Sequence, residues 1–202
     1  RGRMACNSIH DTYAVSCAFF EEGMESRQKK MLFILNNLDS AIEGGKIYPH
    51  YQPIVDTKTG RVSSAEALVR WNDPVYGLVS PIEYIPVLEH FNVISKLDIA
   101  MIRHVVQDLL DMMEEGVPLV PISINLSRID FVSCDIVSIA DEIIKEAGIP
   151  SHLIHFEVTE TGRAKDEVFV KKGVYRLREL GYEVWMDDFG SGYSSLNVLK
   201  DY

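Results

Sequence analysis

The feature that most constrains this chain is a recurrence of polar residues at the ends of apolar runs. Stretches 119–125, 153–159 and 183–187 read as short strands. Asn125, Glu157 and Asp187 stand at or near their C-terminal ends, 32 and 30 residues apart. A barrel of eight βα units in roughly 250 residues repeats about every 31. Amphipathic helical patterns over 135–147 and 166–180 fill the intervals, and Gly148 and Gly181 follow them as stop signals. Alternating strands and helices joined by short loops imply parallel strands with crossover helices. The expected fold is α/β, a TIM-like barrel. The C-terminal strand ends of such a barrel carry its chemistry.

The first half is less regular. A helix is predicted over Met24–Glu43 and is stopped by Gly44 and Gly45. His50–Val55 and Val62–Trp71 read as a hairpin around the turn Asp56–Gly60. Ser80, Pro81 and Glu83 spell a capping box with proline at the first helical position. A second helix is expected over 95–115, with Leu97, Ile102, Val105, Leu109 and Met113 as its stripe. This makes five strands. One residue does not suit its surroundings: Glu66 lies inside the apolar run "SAEALVRW". A carboxylate there needs a partner, and Arg70 is one candidate. Glu66 precedes Asn125 by 59 residues, close to two barrel periods. Asp188 adds a further carboxylate directly after Asp187.

Taken singly, these residues have plain explanations. Glu66 suits a salt bridge, Asn125 a turn or cap, Glu157 and Glu160 a solvated rim, and Asp187-Asp188 an Asx turn. Taken together, carboxylates converging on one barrel mouth repel one another unless cations neutralise them. Oxygen donors with one amide suit Mg²⁺ or Mn²⁺, with Ca²⁺ as a competitor. Two such ions are a common device for phosphodiester hydrolysis. The net charge of −10 argues against a nucleic-acid polymer as partner, while a phosphorylated small ligand stays open. No apolar run is long enough for a membrane span, so no membrane contact is expected within this segment. Cys6, Cys17 and Cys134 follow no pairing or metal spacing, which suits the cytoplasm. Asp188-Phe189-Gly190 spells a kinase triplet, but the kinase glycine-rich and catalytic loops are missing upstream.

The motifs "EALVRW" (66–71), "YQPIV" (51–55), "INLS" (124–127), "FEVTE" (156–160) and "DDFGSGYSSL" (187–196) resemble those of EAL-domain cyclic-di-GMP phosphodiesterases. The resemblance covers about residues 30–202. It implies a barrel whose first strand runs antiparallel to the others, with about five of eight strands present. It implies metal ligation by Glu66, Asn125, Glu157, Asp187 and Asp188, with Asp187 bridging two ions. Gln52 and Arg70 match positions that contact the dinucleotide, and Glu160 matches a residue that steadies metal-bound groups. The implied reaction opens cyclic di-GMP to linear pGpG with Mg²⁺ or Mn²⁺, and Ca²⁺ inhibits. Residues 1–45 would form a linker and helical segment, and 46–202 the N-terminal part of the EAL domain. "FFEEGM" (19–24) resembles, more weakly, the tail of a GGDEF domain, so a preceding GGDEF or sensor domain is expected.

The sequence also departs from the family pattern. The family's lysine in a Leu-Lys-Ile-Asp context and a later glutamate are not found up to Tyr202, and Lys200 does not match that lysine. Ser191 stands where threonine is more frequent. Residues 1–202 alone are therefore expected to show little or no activity, and their uncovered strand edges to pair with a second copy as a homodimer. The competing expectations are an inactive domain that senses cyclic di-GMP and a surface that serves assembly only.

Overall fold

The computed structural model describes residues 23–159 and 167–187. The elements run α1 (Met24–Glu43), β1 (Ile47–Val55), β2 (Val62–Asp73), β3 (Gly77–Val79), α2 (Pro81–His90) and α3 (Ile94–Glu114). Then follow β4 (Ile122–Leu126), α4 (Asp130–Ser133), α5 (Ile136–Glu146), β5 (Ile154–Thr159), α6 (Glu167–Glu179) and β6 (Glu183–Asp187). Two compact units are distinguished, residues 1–38 and 39–202. The second contains the sheet and every helix after α1.

The strands form one sheet in the order β1-β2-β4-β5-β6. β1 is antiparallel to β2, and β2, β4, β5 and β6 are mutually parallel. The expected reversal of the first strand is therefore present. Pro49 and Pro53 share a parity on β1, so their missing N–H groups fall on one side of the strand. A strand paired along one edge tolerates that gap; among the described residues β1 pairs with β2 alone.

Among the described residues six strands are present rather than five. The extra one, β3, pairs antiparallel with the end of β2, matching Trp71 to Val79 and Asp73 to Gly77. Asp73 makes the turn: its Oδ1 accepts from the N–H groups of Val75 (2.8 Å) and Tyr76 (3.2 Å). A three-residue strand is too short to show alternation in sequence. β4 starts at Ile122 rather than at 119. Pro121 lacks an N–H, and its carbonyl accepts from Ala65 N–H at 3.0 Å just ahead of the strand. The capping box of α2 is formed, with Ser80 N–H donating to Glu83 Oε2.

Alternation divides the sheet into two faces. Ala67, Ile124, Phe156, Val158 and Val184 belong to a buried cluster with Ile102 and Leu109 of α3, Ile144 of α5 and Val174 of α6. Full burial of a large apolar side chain stabilises by about 1.5–3 kcal/mol, and this face supplies the main core. The helices cover it closely. A Cβ on Gly173 of α6 would lie 2.2 Å from Phe131 Cδ1, so only glycine fits under that ring. The expected α3 stripe holds for Leu97, Ile102, Val105 and Leu109 but fails at Met113, which is 44% exposed near the last turn.

Candidate active site

The other face carries residues of opposite parity: Glu66 on β2, Ser123 and Asn125 on β4, His155 and Glu157 on β5, Glu183 and Trp185 on β6. Its placement follows from the core. Once the apolar residues of each strand meet the helices, every second residue must face away from them.

Glu66 finds its partner here. Asn125 Nδ2 donates to Glu66 Oε1 at 2.8 Å across 59 residues of sequence. Arg70 does not pair with it; its Nη1 donates to the Val69 carbonyl at 2.8 Å. Glu157 is Asn125's direct register partner on β5 and is 9% exposed. Gln52 on β1 is the register partner of Glu66. Asp187 pairs with Thr159, one strand over from Glu157 and two residues further along. The backbone thus places Gln52, Glu66, Asn125, Glu157 and Asp187 on adjoining strands. The Asp187 side chain, Asp188 and Glu160 lie outside the described residues.

The donor set suits a hard cation. Glu66 and Glu157 supply carboxylate oxygens, and the Asn125 amide, oriented by its N–H on Glu66, has its oxygen left to face an ion. Among the described residues, no three His, Cys, Asp or Glu side chains are arranged so that they could hold a metal ion. The described part of the set is two carboxylates and an amide.

Beside this pair a cavity of ≈ 200 Å³ opens between the ends of β2 and β4 and helices α2 and α3. Arg70, Asn125 and Ser127 contribute polar groups to it, and Ile85, Leu97 and Met101 apolar walls. Glu89 and Asp98 also line it, and the sequence reading singled out neither. Asp98 sits in "KLDIAMI", where a carboxylate beside Leu97 interrupts a buried helical stripe. That is the same signal that marked Glu66, and it was available for Asp98 too. No described helix is long and apolar enough to cross a membrane.

Comparison with known proteins bears on the family and the fold. Residues 35–202 match the EAL domain family. The chain is 32% identical over 190 residues to the cyclic di-GMP phosphodiesterase PA2567 of Pseudomonas aeruginosa, covering 93% of this chain and 32% of that protein. It is 32% identical over 183 residues to the bifunctional diguanylate cyclase/cyclic di-GMP phosphodiesterase MucR of the same organism, covering 90% and 27%. The chain thus spans under a third of the length of these curated relatives. The solved PaMucR phosphodiesterase–c-di-GMP complex superposes with a TM-score of 0.75 at 28% identity, covering 84% of this chain and 69% of that one. With the antiparallel first strand, the parallel strands after it and a match over most of its length, the chain belongs to the EAL domain family.

Proposed function

We propose that the protein containing this chain hydrolyses cyclic di-GMP to linear pGpG, using divalent cations held at the polar end of the sheet. The observation that carries the proposal is the Asn125–Glu66 hydrogen bond of 2.8 Å with Glu157 on the adjoining strand. These residues are far apart in sequence, and the sheet register brings their oxygen donors together. Glu66, Asn125, Glu157, Asp187 and Asp188 would hold Mg²⁺ or Mn²⁺. Bound there, the ions would supply charge for the phosphodiester oxygens and an acidified water.

The chain's own side chains do the rest. Arg70 lines the cavity next to Asn125 and would engage a phosphate as a planar double donor. Gln52, opposite Glu66, would orient the ring of the dinucleotide. The apolar walls of the cavity suit the flat face of a base. Glu160, which follows β5 in sequence, would steady the ligand set. A preceding GGDEF or sensor domain, a homodimer and a cytoplasmic setting complete the proposal; the bifunctional MucR supports the first.

The test is turnover of cyclic di-GMP by the full-length protein with Mg²⁺, Mn²⁺ and Ca²⁺ in turn. Linear pGpG is expected with the first two. Ca²⁺ should inhibit, because it prefers longer bonds and more ligands. Tight dinucleotide binding without pGpG under any metal would replace this reading with that of a sensor.

A further inference from the structure

The chain leaving β4 meets a second polar cluster, apart from the Glu66–Asn125 pair. Ser127 supplies the first backbone N–H beyond the strand. It donates to Asp98 Oδ2 on α3 at 3.1 Å and to Asp130 Oδ2 at the start of α4 at 3.0 Å. The Ser127 hydroxyl donates to Glu89 Oε1 on α2 at 2.7 Å. Three helices thus each aim a carboxyl group at one residue, two positions after Asn125. Asp98 is 8% exposed and Asp130 is 0%.

The Oδ2 atoms of Asp98 and Asp130 accept from the same Ser127 N–H, so the two buried carboxyl groups lie side by side. Burial, then the neighbouring Asp130, push the Asp98 carboxyl well above the usual range. Burial raises the Asp130 carboxyl as well. The other groups around the pair are Tyr84 on α2, Arg70 on β2, Arg128 on the turn itself and Cys134 after α4.

We propose that Asp98 and Asp130 form a clamp on the Ser127 N–H, which fixes the backbone there and so aims Asn125 at Glu66. They are positioning residues for the site, and the cation arm of their test rests on the function proposed above. The argument is geometric. Asn125 is the next-to-last residue of a five-residue strand, so its direction depends on what anchors the chain just beyond it. The anchor is a doubly accepted N–H and a bonded hydroxyl on one residue.

Asp98→Asn provides the sharp test, since an amide oxygen can accept from the Ser127 N–H as the carboxyl oxygen does. Asp98→Leu cannot. In the full-length protein, Asp98→Asn should bind Mn²⁺ as the parent does, and Asp98→Leu about 10–100-fold more weakly. The Asn125 side-chain amide protons should keep their NMR shift and slow exchange in Asp98→Asn and lose both in Asp98→Leu. A third readout uses neither cation nor Leu variant. A buried acid with a raised folded value stabilises fully below its unfolded value of about 3.9, and that stability is lost as pH rises toward the folded value. The Tm of Asp98→Asn should therefore gain on the parent as pH rises from about 4. A pH-independent difference, or Asn125 signals disturbed equally by Asn and Leu, would overturn the clamp. If the parent itself binds no Mn²⁺, the cation reading fails, and the NMR and pH arms still decide for or against the clamp.

Discussion

Phe156 and Glu157 are neighbours on one strand and belong to different parts of the molecule. Phe156 faces the helices, is 0% exposed and meets the ring of Tyr182 edge-on at 5.4 Å. Glu157 takes the other face, beside Asn125. The same split repeats on β2, where Ala67 joins the core cluster and Glu66 bonds Asn125. The difference teaches that each face is specified by what covers it. The helix side is covered by complementary apolar stripes and rewards shape. The opposite side collects charge, and its residues are chosen for what they can hold.

Substitutions on the two faces should separate stability from function, and the largest stability effect belongs to the helix side. Phe156→Ala should cost about 3–5 kcal/mol in denaturant unfolding, through a cavity in a packed core. A cost below about 1 kcal/mol, outside the range for such a cavity, would mean that the helices do not cover this face as described. Gly173→Ala comes next. The added methyl would collide with the Phe131 ring, and a loss of about 1–3 kcal/mol is expected although alanine favours a helix. Unfolding measured beside Phe131→Leu, which frees the space, sharpens this, since the double variant should recover part of the loss.

Glu66→Gln should change stability least, within about 0.5 kcal/mol, because the amide oxygen still accepts from Asn125. The same variant should lose Mn²⁺ binding, read by titration calorimetry. A variant as destabilised as Phe156→Ala would place Glu66 in the structural class and break the comparison.

Much of this was legible along the chain. The 32- and 30-residue spacing of Asn125, Glu157 and Asp187 predicted parallel strands, and the register joins those strands in that order. Ser80, Pro81 and Glu83 predicted the start of α2 because a capping box is local chemistry. β3 escaped because three residues carry no period. Arg70 was weighed as the partner of Glu66 because it was near in sequence, and Asn125 is the partner because the sheet made it near in space.

By itself, then, the sequence determined the order of the longer elements, their caps and stops, and that Glu66, Asn125 and Glu157 turn from the core. Those are decided within a few residues by hydrogen bonding, backbone freedom and side-chain alternation. Tertiary structure alone decided the partners. Ser127 collects carboxyl groups from Glu89, Asp98 and Asp130, 38, 29 and 3 residues away. No local rule fixes such a meeting, since the burial and hydrogen bonds that hold it exist only after α2, α3 and α4 have packed around the end of β4.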